Sequence, residues 1–439
     1  MSPAIRRRPA VSGALGAALA AGLLAAAPTE AGAAPRPAGA STALQQIHPA
    51  VTSVPSSVDR RIVSALSSRV TTARFGTAFT GAVVDAASGR LVWSRNGTTG
   101  RMPASTTKLV TATNALAAFG SSHRFTTTVK RGAQQNQADQ VVLVGSGDPD
   151  LSSPQLAALA TATATKMKAA RQTRVRLYAD DSLFAAPTLA TGWKSSYVPA
   201  DTTWLRSLVV DRHDVSDTAL DAAKVFATKL KAQGITVTRI GRGRAATKAP
   251  LLASSAGVTL GTSISHMMLT SDNEHAEALH RLVGIRMGYG NTWSAARAAQ
   301  KKGLASQGLT ATALYDGSGL SRSDRLTGVQ LARVVANAFE PANTTRLALL
   351  RSNAGLPVSG RTGTLQAAYG RFTTAASRCA VGKVHAKTGS LGDVVSLAGW
   401  TVGKDGRVKT FAFVVNGRTA TLALRQSVDM LAATVNGCY

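Results

Sequence analysis

Two almost wholly apolar runs close to the C-terminus set the terms for the rest of the chain. Residues 394–402 and 408–415 flank the turn Gly403-Lys404-Asp405-Gly406. Runs with so little polar alternation have no face to give to water. They therefore predict a hairpin at the centre of a sheet covered on both sides. An amphipathic helix, expected over 421–434, follows and can pack on that sheet. Near the start, Thr80-Gly81-Ala82-Val83-Val84-Asp85 and Arg90-Leu91-Val92-Trp93-Ser94 flank Ala87-Ser88-Gly89 and predict another hairpin, after a helix over 58–69. A further helix follows Pro103, with Leu109, Ala112, Leu116 and Phe119 at helical spacing, and helical texture returns over 264–339. Hairpin, helices, hairpin, helix is the order of an α/β sandwich, with helices on an antiparallel sheet.

Residues 122–255 differ in texture. Short β-like runs such as Gln140-Val141-Val142-Leu143-Val144 and Arg174-Val175-Arg176-Leu177-Tyr178 alternate with polar turns and an Ala-rich helix. This basic stretch is expected to form one or two inserted, mainly β subdomains. It leaves 57–121 and 256–439 as the catalytic domain. At the N-terminus, Arg6-Arg7-Arg8, the uncharged apolar stretch 11–27 and Ala31-Gly32-Ala33 give the n-region, h-region and cleavage site of a signal peptide over 1–33. Gly13, Gly16 and Gly22 interrupt the apolar run and argue against an anchor. Residues 34–56, rich in Ala, Pro, Ser and Thr, read as a disordered leader. The mature protein is expected outside the cytoplasmic membrane, associated with the cell wall and without a membrane span.

A net charge of +28 suits a polyanion. An exported protein rarely meets nucleic acid, so anionic cell-wall polymers are the more coherent partner; solubility explains the charge equally well. Cys379 and Cys438 are the only cysteines. Outside the membrane they can bridge, tying the region before the last strands to the C-terminus, or remain two thiols. Neither has a His or second Cys at ligand spacing, so no metal site is expected.

Three short motifs carry the chemistry. Ser105-Thr106-Thr107-Lys108 sits where a helix is about to start, and a spacing of three puts the amine within reach of the hydroxyl. Backbone N–H groups at that position can hold an oxyanion. Lys108 must be neutral to act as base, which burial or cationic neighbours can bring about. Ser271-Asp272-Asn273 lies between two helical stretches and can present a hydroxyl and an amide to a cleft. Lys387-Thr388-Gly389-Ser390 precedes the last hairpin, where basic and hydroxyl groups suit a carboxylate and the glycine admits close approach. Taken singly, each is as well explained by a helix cap or a strand end. Ser94-Arg95-Asn96 fails on position, and Arg361-Thr362-Gly363-Thr364 ranks lower because no apolar strand follows it.

Together and in this order, the three motifs resemble the signature of penicillin-binding proteins and class A β-lactamases. The chain further resembles the class C low-molecular-mass penicillin-binding proteins, the D-Ala-D-Ala carboxypeptidase/endopeptidases of peptidase family S13. The stretches that carry this likeness include Pro103-Ala104-Ser105-Thr106-Thr107-Lys108-Leu109, Gly145-Ser146-Gly147-Asp148-Pro149-Asp150-Leu151 and Ala179-Asp180-Asp181-Ser182-Leu183-Phe184. Asp316-Gly317-Ser318-Gly319-Leu320-Ser321-Arg322, Gly363-Thr364-Leu365 and His385-Ala386-Lys387-Thr388-Gly389-Ser390-Leu391 complete them. A large insertion between the first two motifs is typical of that family.

The resemblance implies a serine DD-peptidase acting on peptidoglycan stem peptides, acylated by β-lactams, with no metal or organic cofactor. Ser105 is then the nucleophile, Lys108 its base, and Ser271 with Lys387 a proton relay. Asn273 orients the acyl-side amide; Lys387, Thr388 and Ser390 hold the terminal carboxylate, beside Gly389. The N–H groups of Ser105 and Ser390 form the oxyanion hole. Glu274 and Glu277 follow the second motif, but nothing in the sequence places either on a deacylating water, as a β-lactamase requires. The competing readings are a β-lactamase or esterase on the same fold, and a catalytically weak, basic wall-binding protein.

Overall fold

The computed structural model describes residues 54–132, 134–309 and 313–439. The segment read as a signal peptide (1–33) and residues 34–53 of the expected leader lie outside the described residues. Among the described residues, no helix is long and apolar enough to cross a membrane.

Strands β1 (Phe79–Asp85) and β2 (Leu91–Arg95) form the first hairpin. Then come β3 (Arg124–Arg131), β4 (Gln140–Val144), β5 (Arg174–Asp180), β6 (Thr236–Arg242) and β7 (Leu251–Thr259). The chain closes with β8 (Val384–Leu391), β9 (Val394–Val402) and β10 (Val408–Asn416). The first sheet has the order β2-β1-β10-β9-β8 and is antiparallel throughout.

The apolar hairpin β9-β10 lies inside this sheet because both of its faces are covered. Phe411, Phe413 and Val415 point into a core shared with helices Ser57–Arg69 and Leu422–Asn436. Ala412 and Val414 point the other way, into a core shared with helices Lys108–Phe119 and Gly328–Ala336. The alternation of large and small residues along β10 thus meets two different helix layers. Helix Ser57–Arg69 begins with a reciprocal cap: the Ser56 hydroxyl accepts from the Asp59 N–H at 3.0 Å, and the Asp59 carboxylate accepts from the Ser56 N–H at 3.1 Å.

The second sheet, order β6-β5-β4-β3-β7, is mixed. β3 runs antiparallel to β4 and β7, whereas β4, β5 and β6 are mutually parallel. Parallel neighbours need crossovers, supplied by helices Ser153–Ala169 and Thr218–Ala232. The Ala-rich helix of the expected insert is the first of these. The second buries Ala219, Ala222, Ala223, Phe226 and Leu230 beneath a face carrying Lys224, Lys229 and Lys231, charges that mask its helical period in the sequence. Both helices pack on one face of the sheet around Val129, Val141, Leu143, Val175 and Leu177.

Lys409, on the central strand, is fully buried and donates to Asp59 and Asp85, each at 2.7 Å. Arg407 adds a contact to Asp59 at 2.8 Å. Burial alone would raise the Asp59 carboxyl, but the Lys409 hydrogen bond and charge, the Ser56 N–H and Arg407 outweigh it and hold the group at about 2. Cys379 and Cys438 are joined, with Cα atoms 6.2 Å apart and a sequence separation of 59.

Two measurements check this framework. Lys409→Ala removes the buried cation shared by Asp59 and Asp85, leaves them only the partly exposed Arg90 and Arg407, and should cost about 3 kcal/mol in urea unfolding. Because the Asp59 carboxyl is depressed in the fold, its contribution is present above 3.8 and is lost as pH falls from there towards about 2. Replacing both cysteines by serine should remove about 4 kcal/mol on the chain-entropy account of a loop this long, seen as a lower urea midpoint under oxidising conditions.

Candidate active site

Ser105 sits on a tight turn that the fold holds from three sides. The turn spans Ala104–Thr107 and runs directly into helix Lys108–Phe119. Ala104, buried, has φ +47°, a left-handed conformation that costs an alanine about 1 kcal/mol or more. The Pro103 carbonyl anchors the turn, accepting from Thr106 Oγ1 and from Ser396 Oγ on β9, both at 2.6 Å. Gly319 presses against it from below: a Cβ there would lie 1.9 Å from the Ala104 carbonyl oxygen. Helix Lys108–Phe119 is buried all round from Lys108 to Leu116, not along one stripe, so its Thr111, Thr113 and Asn114 are interior as well. Its first residue is therefore a lysine with no exposed surface.

The Lys108 ammonium nitrogen lies 2.8 Å from Asn273 Oδ1, 2.8 Å from the Ser318 carbonyl oxygen and 3.1 Å from Ser105 Oγ. The first two partners can only accept. A neutral amine spends its two N–H bonds on them and turns its lone pair to the Ser105 hydroxyl. Burial favours that neutral form: desolvation pulls Lys108 down to about 8, against the opposing pull of Glu277, Asp316 and Asp272.

Ser271 lies between helices Leu260–Thr270 and Asn273–Arg286 in the left-handed region, with φ +65°. Lys387 on β8 donates to Ser271 Oγ at 2.8 Å and to the Thr388 carbonyl at 2.8 Å. Lys387 is also fully buried, and desolvation with the nearby Lys108 and Arg371 charges holds it well below its ordinary range. Gly389 brings β8 against the Ser105 turn: a Cβ there would lie 2.9 Å from the Pro103 carbonyl oxygen and 3.0 Å from the Ser105 nitrogen. Thr388 is half-buried and Ser390 exposed on this edge strand, whose first half is bridged by Val358. The three motifs thus converge through Ser105, Lys108, Ser271, Asn273 and Lys387, while Ser94-Arg95-Asn96 is spent on the end of the first hairpin, where Asn96 donates to the Phe79 carbonyl at 3.1 Å.

The family likeness covered the stretches around Ser318 and Thr364 without giving either residue a role, and other partners had no sequence signal. Ser318 acts through its backbone, so side-chain identity says nothing of its role. Thr364, from the motif ranked lower, stands 2.7 Å from Thr388, hydroxyl to hydroxyl. Asn273 donates to the Asp201 carbonyl at 2.9 Å, and Glu274 accepts from the Thr203 N–H at 2.8 Å. Glu277 lies one helical turn beyond Asn273, on the same face. It accepts from the N–H groups of Gly317 and Ser318 at 2.9 and 2.7 Å.

Behind the Ser271 loop, His275 lies between Asp150, at 3.0 Å, and Asp272, at 3.2 Å. Burial works against its charge, but the two carboxylates raise it to about 9. Among the described residues, His266, Asp272 and His275 form the one group of donors close enough to hold a metal. The Asp272 carboxylate is already engaged by His266 and by the His275 N–H.

Residues 62–212 and 205–435 match the sequence model of the D-Ala-D-Ala carboxypeptidase 3 (S13) family. Carboxypeptidase DacB of Mycolicibacterium smegmatis is 33% identical over 92% of this chain and 89% of its own. A D-alanyl-D-alanine carboxypeptidase of an Actinomadura species is 28% identical over 81% of each chain. In fold, the structure is similar to penicillin binding protein 4 of Haemophilus influenzae, with a TM-score of 0.70 and 20% identity, over 83% of this chain and 98% of that one.

The lysine chemistry can be checked directly. In protein carrying isotope-labelled lysine, one side-chain resonance that disappears in Lys108→Met should titrate near pH 8. A Lys108 signal that keeps the ordinary lysine midpoint would remove the case for a neutral base.

Proposed function

The chain belongs to the D-Ala-D-Ala carboxypeptidase 3 (S13) family, and on that footing we propose an exported serine DD-peptidase that cleaves the D-Ala-D-Ala bond of peptidoglycan stem peptides through an acyl-enzyme on Ser105. The observation that carries this reading is the fully buried Lys108 nitrogen 3.1 Å from Ser105 Oγ, with two further partners that can only accept its N–H bonds.

Ser105 Oγ attacks the carbonyl carbon between the two D-alanines as its proton passes to Lys108 Nζ. The N–H groups of Ser105 and Ser390 take the oxyanion, on a strand that Gly389 allows to lie against the nucleophile turn. Collapse of the tetrahedral intermediate breaks the C–N bond. The leaving nitrogen receives the proton, with Ser271 and Lys387 as its carriers. Asn273 faces the acyl-side amide, and Lys387, Thr388 and Ser390 face the terminal carboxylate. Water then attacks the ester, releasing the shortened peptide and restoring the Ser105 hydroxyl.

A β-lactam offers the same kind of carbonyl, with a leaving nitrogen that stays tethered to the acyl group, so the same ester should form. The two glutamates after Asn273 favour a slow release of that ester over a β-lactamase. Glu274 is bound to Thr203 and Glu277 to the Gly317-Ser318 backbone, so neither is free to activate water. Export to the wall rests on the N-terminal pattern of residues 1–33 and on the +28 charge.

Mature protein incubated with a fluorescent penicillin should show a covalent band on a denaturing gel, absent in Ser105→Ala. The same variant should lose D-alanine release from a Lys-D-Ala-D-Ala peptide by about a thousandfold or more. Release that survives the substitution would mean that Ser105 is not the nucleophile.

A further inference from the structure

Beneath Lys108 lies a fully buried carboxylate, Glu277, that takes no part in the steps above. We propose that Glu277 is a positioning residue for proton abstraction: it fixes the 316–319 loop so that the Ser318 carbonyl occupies one N–H of Lys108 and the lone pair stays on Ser105. This rests on the serine-peptidase reading.

The loop is held peptide by peptide. The Gly317–Ser318 peptide is gripped at both edges, its carbonyl by Thr111 Oγ1 at 2.7 Å and its N–H by Glu277 Oε1 at 2.7 Å. In the next peptide, the Gly319 N–H is held by Asp316 Oδ1 at 2.8 Å, and the Ser318 carbonyl is the oxygen that meets Lys108 at 2.8 Å. The second Glu277 oxygen takes the Gly317 N–H. Neither glycine can be replaced in place. A Cβ on Gly317 would lie 2.5 Å from the Ala276 carbonyl oxygen, and Gly319 has φ +84° as well as its close approach to Ala104. Burial and the Asp316 charge push the Glu277 carboxyl up to about 8, while the Gly317 and Ser318 N–H groups, each on its own oxygen, favour the ionised form. The charged and titratable groups around Glu277 are Lys108 from the nucleophile helix, Asp316 and Asp324 from the loop, and Asp272, His280 and Arg281 near or on its own helix. Its charge is among those that hold the Lys108 proton on.

Glu277→Gln keeps the size, removes the charge and sets an amide NH2 against a backbone N–H. Glu277→Asp keeps the charge but falls one methylene short of the loop. The rate of labelling by fluorescent penicillin, measured across pH, separates reach from charge. Glu277→Gln should lower the alkaline plateau by about ten- to a hundredfold and move the acid limb to lower pH, because Lys108 loses an opposing charge. Glu277→Asp should lower the plateau and leave the limb in place. A lowered plateau with an unmoved limb in Glu277→Gln would reduce Glu277 to a scaffold residue and overturn the proposal, as would wild-type behaviour in both variants. Should Glu277→Gln fail to fold, Thr111→Val frees the Gly317 carbonyl without touching a charge. It must slow the plateau at an unchanged limb, and a plateau equal to wild type sinks the proposal. Wild-type protein that takes no label brings down the serine-peptidase reading and this inference with it, whereas labelled wild type with an unaffected Glu277→Gln removes the inference alone.

Discussion

A lysine cannot be sealed inside a protein as a cation without a large desolvation cost. That constraint governs the centre of this structure. Lys108 has no exposed surface, and its contacts suit a neutral amine: two carbonyl-type acceptors and one hydroxyl. The same burial that would be a liability elsewhere lowers the amine's basicity and so favours the neutral form, whose lone pair is free. Asn273 and Ser318 come from elements far apart in the chain, so the geometry of one nitrogen ties together the helices, the 316–319 loop and the Ser105 turn.

The second sheet enters the same network through its connecting segments. Asp150, just after β4, pairs with His275 on the helix that carries Asn273, and the Asp201 carbonyl receives the Asn273 amide. Trp193 donates to Asp316 Oδ2 at 2.7 Å, reaching the loop that supplies the Ser318 carbonyl. Segments between residues 145 and 211 therefore buttress the Ser271 loop from behind. On the far side of the first sheet, the buried Lys409–Asp59–Asp85 cluster fastens helix Ser57–Arg69 to β1 and β10. At both places a buried charge is held by more than one polar partner, so electrostatics adds to packing.

Local patterns made much of this legible. The hairpin β9-β10 could be read from its apolar runs because burial on both faces leaves no alternation. The three motifs could be read because Ser105 and Lys108 are one turn apart and the others sit at element ends. What stayed hidden depends on contacts that residue identity does not report. The Ser318 carbonyl belongs to the backbone. Glu277 looks like any helical glutamate until its two N–H partners arrive from the loop. Thr364 matters through a hydroxyl brought over by a turn with no strand after it. The crossover helix Thr218–Ala232 was masked by its lysines, and the cysteine pair could be joined only once β8 and the last helix had met.

Strand order carries a further consequence. The first strand of the sheet, β1, pairs with the last, β10, and Asp85 reaches Lys409 over a sequence separation of 324. Pairings this distant are slow to form and come late in folding. Ser105 needs the β9 hydroxyl under Pro103 and the β8 backbone beside it. A chain still emerging from synthesis holds Ser105 and Lys108 but has no sheet to set them against. The corner around Ser105 is therefore completed only when the final hairpin has joined the sheet.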